Sequence, residues 1–593
     1  MKRNRRLSRR EFLGAAAGAT TTVLLASWSQ PTATAAPAPA AAATKADAQE
    51  LRVAANFFAA STAGSTPGDL AELDPARRGN WSWHSLLWTN LLAQDTAGNI
   101  LKEKSLAESW EISSSGTVYT FHLRKGARFS DGTPLTSKDV AGVYGYLSMM
   151  NYKEAAGFRD NFPTVNRLLY DIVGIKDQKA TFDNNDINPV AGIKAPDNNT
   201  VVFTLTAPSA TFLKRLGTVS AIFRLKDLTD GKGKKLDLLD WWTAHAVYSG
   251  PYKITEAVPG DHYTMVPNEY YFGPKPQLTK ITVRMVSQDP NTVMTAFANK
   301  ELDIVGFPLQ GDQARQAFAD PKLADSLVEM PTWLIMQFWM TPNPPLDDRA
   351  VRRAISMAVD KEGLIKLLNA GAPKVLFRTV NMHRNPRVPH CEAETAKVRS
   401  LPFNPTQAKA ELAKSKYGAG VLDMEIHILS QAASDLAQCE ALQNMLQQNL
   451  GFKKVTVHTE KVPDLTNPPF PLHLWNNTQQ PWIPDLFDTL NNMTLYIPDK
   501  EWTADRRRSY VAVSYEPDLK NLVNQGLAEN DPAKRCQLVQ QSGQMWSDVA
   551  FSLDFGVPVQ YYLIAPYVKD LSWYGNAGQG KPLSIEKVWV AKH

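Results

Sequence analysis

Five side chains crowd into one stretch and could together ligate a metal: His383, His390, Cys391, Glu392 and Glu394. Imidazole, thiolate and carboxylate all suit a borderline divalent ion. Their spacing, however, matches no closed zinc pattern. The stretch is also rich in Pro and Arg, as solvated loops are, so no metal is assigned. The chain contains no G-x-S-x-G, no H-E-x-x-H, no P-loop and no G-x-G-x-x-G. Those spacings serve acyl transfer, zinc hydrolysis, phosphate binding and dinucleotide binding. Catalytic triads are defined by geometry rather than spacing, but no residue here is assigned a catalytic role and no cofactor is implied.

Tryptophan is the more informative residue type. There are 15, and Trp81, Trp83, Trp88, Trp475, Trp482 and Trp502 stand in loop-like contexts. Aromatic rings offer large contact area at low entropic cost and are common in ligand clefts, although they also fill cores. Of the three cysteines, Cys439 lies on an apolar helical face and Cys536 near the start of a helix predicted over 532–549. So few cysteines make no disulfide scaffold. Which pair, if any, is bonded is left open by the sequence.

The elements that must position these residues follow from periodicity. Tyr119, Phe121 and Leu123 alternate along a strand, and residues 200–206 form another. Val140, Val143, Tyr144 and Leu147 define the buried face of a helix over 137–150. Residues 281–307 read as strand, helix, strand, and so do 421–460, with Leu422, Met424, Ile426 and Ile428 alternating and Leu436, Cys439, Leu442, Met445, Leu446 and Leu450 forming a stripe. Such short units are parallel crossovers. Two of them far apart predict two α/β lobes rather than one long sheet. Asp347 and Asp348 open one helix; Asn404, Pro405 and Gln407 open another.

The net charge of +5 is carried by the first 35 residues, which hold six basic side chains and one acid; the rest balances 58 basic against 58 acidic. A neutral body argues against nucleic-acid binding. Residues 1–35 have the layout of an export signal: a basic start, a weakly apolar stretch from Phe12 to Trp28, and Ala33-Thr34-Ala35 as a small-residue cleavage site. Within it, Ser8-Arg9-Arg10-Glu11-Phe12-Leu13-Gly14 resembles the twin-arginine motif, with Gly14 where Lys is common. That resemblance implies export by the twin-arginine translocase, cleavage near Ala35 and a periplasmic mature chain. Residues 36–50 read as an Ala/Pro-rich linker.

Four blocks carry a wider resemblance: Leu106–Ile112 with Tyr119–Val140, Ser249–Ile254 with Asn268–Gly273, Asn343–Glu362, and Asn404–Ala413. Together they resemble bacterial extracellular solute-binding proteins, family 5, the oligopeptide-, dipeptide- and nickel-binding components of ABC importers. The resemblance spans roughly residues 51 to 570. It implies an α/β fold of the type II periplasmic-binding-protein kind, two hinged lobes with an extra domain inserted in the first. Lobe 1 would comprise 51–88, 219–308 and 555–593, the inserted domain 89–218 and lobe 2 309–554, with crossings near 305–310 and 552–557. The implied role is capture of a peptide or peptide-like ligand by lobe closure, for delivery to a membrane permease. A non-peptide ligand (oligosaccharide, opine or metal chelate) is the alternative, and an exported hydrolase a lesser one.

Peptide binders of the family commonly carry an Asp four residues before a Pro in the second lobe, pairing with the peptide α-amino group. The matching position here is Gln480, in Gln479-Gln480-Pro481-Trp482-Ile483-Pro484-Asp485. Gln accepts a hydrogen bond but cannot neutralise an ammonium group. Trp88-Thr89-Asn90-Leu91 matches a further family stretch that usually bears an acid. Trp475 and Trp482 are thus the expected stacking surfaces, Gln480 and Asp485 the polar anchors, with Trp88 and Asn90 facing them.

Overall fold

The computed structural model describes residues 44–55, 86–95, 99–149, 169, 171–174, 190–218, 222–224, 247–258, 261–285, 290–309, 311–330, 335–379, 391–430, 435–460, 470–479, 486–487, 490, 494–495, 510–511, 516–571, 573–576, 579–582 and 585–592. Two units are distinguished, Met1–Thr44 and Lys45–His593. All of the first but Thr44, and with it the expected export signal, lies outside the described residues. So do Trp81, Trp83, Gln480, Trp482, Asp485 and Trp502.

Strands are numbered in chain order. The first sheet runs β6 (Tyr252–Val258), β7 (His262–Pro267), β8 (Lys280–Met285), β1 (Glu50–Ala55), β9 (Ile304–Val305). β6, β7 and β8 form an antiparallel meander, while β1 pairs in parallel with both β8 and β9. The expected strand–helix–strand unit is therefore present, with the helix Pro290–Ala298 between β8 and β9, but β1 lies between its two strands. One carboxylate secures this junction. Asp303 accepts from the Arg52 backbone N–H at 2.6 Å, from Arg52 Nη2 at 2.7 Å and from the Tyr567 hydroxyl at 2.6 Å.

A four-stranded antiparallel sheet, β2 (Ala107–Ile112), β3 (Val118–Leu123), β5 (Thr200–Thr204), β4 (Ile193–Asp197), packs into the same continuous core. Tyr119, Phe121 and Leu123 are buried on one face of β3, as the alternation predicts. Phe203 meets Phe121, Tyr144 and Phe212 at ring separations of 5.7, 5.3 and 5.8 Å. At the Asp131–Gly132 turn the Asp131 carboxylate accepts from the Thr133 N–H at 2.9 Å, and Gly132 has φ +82°, a conformation that suits glycine.

The largest sheet runs β12 (Phe377–Arg378), β18 (Ser552–Pro558), β11 (Ile335–Met340), β15 (Leu474–Gln479), β13 (Glu425–Leu429), β14 (Lys454–His458). β13 pairs in parallel with both β14 and β15, so the second α/β unit is present too. Its first strand is shorter than the alternation suggested. Residues Gly418–Asp423, which include Gly418 and Gly420, form a 3-10 turn with Met424 as its C-cap, which leaves Leu422 and Met424 outside the strand. Helices cover both faces. Phe338, Ile426, Ile428 and Phe555 pack with Val351, Ile355 and Leu446 on one side; Trp339, Leu429 and Trp475 pack with Leu519, Val523 and Trp546 on the other. Helix Arg349–Ala358 is capped by Asp348, which accepts from the Ala350 N–H at 2.7 Å. Helix Pro405–Leu412 is capped by Asn404, which accepts from the Gln407 N–H at 3.0 Å.

The chain passes between the first and largest sheets beside a two-stranded ribbon, β10 (Leu327–Met330) paired with β19 (Gln560–Leu563). Bridges Leu309↔Tyr561 and Ile304↔Ile564 join β19 to the first sheet. The passages fall between β10 and β11 and between β18 and β19. Residues 552–557 lie inside β18, and Leu309, Ala314 and Ala317 pack in the first core, so both passages come later in the chain than 305–310 and 552–557.

Candidate functional site

Two neighbourhoods hold the described members of the expected site. In the first, Trp88 is 1 % exposed and packs on Tyr248 at 5.4 Å between ring centroids. The Thr89 N–H donates to the Ser249 hydroxyl at 3.0 Å, which donates to the Ile222 carbonyl at 2.6 Å. The Asn90 carbonyl accepts from the Leu106 N–H at 2.9 Å. The Ser249-Gly-Pro-Tyr block has a steric reason: a Cβ on Gly250 would lie 2.6 Å from the Leu86 carbonyl oxygen and the Leu87 carbonyl carbon. The backbones at 86–88 and 250 approach as closely as only glycine permits. Among the described residues, Thr89 Oγ1 and Asn90 Oδ1 are buried here without a hydrogen-bond partner.

The second neighbourhood is the end of the largest sheet from which β15 leads into residues 480–485. Trp475 sits two-thirds of a strand earlier, 9 % exposed, opposite Trp339 and in the same core as Trp546. Its neighbours make it a wall of that core. Nearer the strand end, Asn477, Gln337 and Asp554 are register partners on three adjacent strands. Gln337 and Asp554 are buried and share a face. Neither was singled out in the sequence; a polar residue inside an otherwise apolar strand was the available signal.

Three histidines fill the same face of the sheet toward its other edge. His427 Nδ1 and His458 Nε2 are 2.8 Å apart, and Phe470 stacks on His458 with centroids 3.6 Å apart. His473 Nδ1 accepts from the His427 backbone N–H at 3.0 Å, and its Nε2–H donates to the Pro344 carbonyl at 2.8 Å. Burial pushes the His473 pKa down to about 4 and lowers that of His427 as well. For His473 the hydrogen bonds agree with neutrality, since a proton on Nδ1 would point at a backbone N–H.

The metal reading fails at its thiolate. Cys391 is bonded to Cys536, with Cα atoms 5.1 Å apart, which ties helix Glu392–Thr395 to helix Pro532–Val549. His383 and His390 lie outside the described residues, and among the described residues no three His, Cys, Asp or Glu side chains are placed to hold a metal ion. Cys439 is a buried free thiol whose pKa burial pushes up to about 12, as a core cysteine requires. No described helix is long and apolar enough to cross a membrane.

Two α/β sheets joined by paired passages, with a third sheet packed onto the first, make a periplasmic-binding-protein fold of type II. The same fold is seen in a clavulanic acid biosynthesis oligopeptide-binding protein, which superposes with a TM-score of 0.71 over 93 % of this chain and 97 % of that one at 20 % identity. Residues 103–501 match the family described as bacterial extracellular solute-binding proteins, family 5 Middle, and the chain belongs to that family. Curated relatives include heme-binding protein A of Haemophilus influenzae, 26 % identical over 56 % of this chain and 57 % of that protein. The dipeptide-binding protein of Escherichia coli is 27 % identical over 48 % of this chain and 50 % of that protein. The chain thus matches about half the length of these two relatives.

Proposed function

We propose that this protein is the extracytoplasmic binding component of an ABC importer, which captures a peptide or peptide-like ligand between two lobes and hands it to a membrane permease. Family membership over residues 103–501 is the observation that carries the reading. Relatives named for dipeptide and oligopeptide binding support the ligand class. In this reading lobe 1 is built on the first sheet, residues 89–218 are its insertion, and lobe 2 is built on the largest sheet. The hinge is the pair of passages between β10 and β11 and between β18 and β19. Trp88 and Asn90 face a second-lobe loop in which Gln480, Trp482 and Asp485 contact ligand, with Trp475 behind them. The role is binding without turnover. Export uses the twin-arginine translocase, with cleavage near Ala35. The Cys391–Cys536 bond supports an oxidising compartment, where disulfides persist.

A non-peptide ligand is the second reading, favoured by Gln480 at the position where a peptide's ammonium group would need a carboxylate. Mass spectrometry of small molecules that co-purify with the native protein separates the two. Peptides are expected; a sugar, chelate or tetrapyrrole would establish the alternative. Release of cleaved products from peptide or ester substrates would instead point to a hydrolase.

A further inference from the structure

One side chain at the hinge is energetically out of place. Gln560 is 0 % exposed, and neither its Nε2 nor its Oε1 has a hydrogen-bond partner among the described residues. Its backbone is fully integrated: it pairs with Met330 across the ribbon. Val559 and Tyr561, its chain neighbours, are tied to the 375–376 segment. The Val559 N–H donates to the Leu376 carbonyl and the Tyr561 hydroxyl to the Val375 carbonyl, each at 2.8 Å. Alternation along β19 sends the Gln560 side chain to the face opposite Tyr561. That position is special. Gln560 is the first residue of β19 after the chain leaves β18, and Met330 is the last residue of β10 before the chain crosses to β11. Gln560 therefore stands at the start of β19, beside the last residue of β10 and two residues after the end of β18.

A buried primary amide with no partner destabilises the folded protein, because it gives up its water and receives nothing in return. The surrounding run Val557-Pro-Val-Gln560-Tyr-Tyr-Leu-Ile564 is otherwise free of charged and amide side chains. A methionine at 560 would satisfy the same packing without that cost. Groups of this kind persist in native proteins where function needs them.

We infer that Gln560 is a ligand-contacting residue, whose carboxamide pairs through its N–H and C=O with a peptide group of the bound ligand. One donor and one acceptor side by side complement a backbone amide. The hinge location means that rotation of the lobes controls access to this face. The inference rests on the peptide reading proposed above.

The experiment compares wild type with Gln560→Met, using a library of defined di- to pentapeptides as probe. Bound peptides are identified by native mass spectrometry and titrated calorimetrically, and the free proteins are melted in parallel. The expected result is a higher melting temperature for the free variant with affinity lowered tenfold or more, since an unpaired peptide group in a closed site is strongly rejected. Equal affinity for wild type and variant overturns the inference while leaving the peptide reading intact. A lower melting temperature also overturns it, because the amide then has a stabilising partner in the free protein. No peptide bound by wild type refutes the peptide reading and this inference with it. If Gln560→Met does not fold, Gln560→Asn decides: it keeps the amide but withdraws it by one methylene. Weaker binding supports the contact, and unchanged binding overturns it.

Discussion

His473 couples the second lobe to pH. Its ordinary pKa of 6.5 is pushed down to about 4 in the folded protein, so between these values the unfolded chain holds a proton that the native one does not. Stability is therefore full above about pH 6.5 and declines as pH falls toward 4. A difference of that size is worth roughly 3 kcal/mol. Urea unfolding between pH 7 and 4.5 should show this slope, and His473→Asn should be less stable at pH 7 yet flatter in acid. Equal slopes for both proteins would assign the acid sensitivity elsewhere. Gly250 gives a second residue-scale test. The atoms a new Cβ would strike at 2.6 Å are backbone atoms of Leu86 and Leu87, which cannot swing aside. Gly250→Ala should cost on the order of 1–3 kcal/mol in thermal or urea unfolding. A neutral result would mean that the 86–88 segment yields easily. None of this was legible beforehand: a glycine in a Ser-Gly-Pro-Tyr block is visible in the sequence, but the backbone it meets is more than 160 residues away.

At the scale of elements, the local signals transferred well. The caps at Asp348 and Asn404, the turn at Asp131 and the alternation on β3 need only neighbours in sequence, and each formed as its residues dictate. The disulfide is the opposite case. It closes a loop of 145 residues between a one-turn helix and an 18-residue helix. Chain-entropy arguments put the stabilisation near 5 kcal/mol for a loop of that length, an upper value in practice. Cys391→Ser with Cys536→Ser should lower the urea midpoint of the oxidised protein markedly. Reductant should bring wild type toward the variant and leave the variant unchanged. A wild type insensitive to reductant would show that the bond adds little.

For the whole molecule, the two passages beside the β10–β19 ribbon define the axis about which the lobes should close. Small-angle scattering with and without a bound peptide should give a smaller radius of gyration in its presence. An unchanged radius at saturation would leave a rigid binder with no closure to signal a permease. Export is testable apart from ligand. Arg9→Lys with Arg10→Lys should hold the precursor in the cytoplasm, and normal export of that double variant would refute the twin-arginine route.

Periodicity and ordered signature blocks were enough for the family, the α/β class and the presence of two separate parallel units, because these depend on patterns written within a few tens of residues. The position of β1 between β8 and β9, the passages after Met330 and Pro558, and the pairing of Cys391 with Cys536 were decided only in three dimensions. The same holds for the site. Trp88 and Trp475 are recognisable in the sequence as aromatic, but only packing makes them buried walls. Gln560 is one polar letter in an apolar strand until the fold encloses it. Whether a polar side chain is solvated, paired or orphaned depends on every surface brought against it, and those surfaces come from distant parts of the chain.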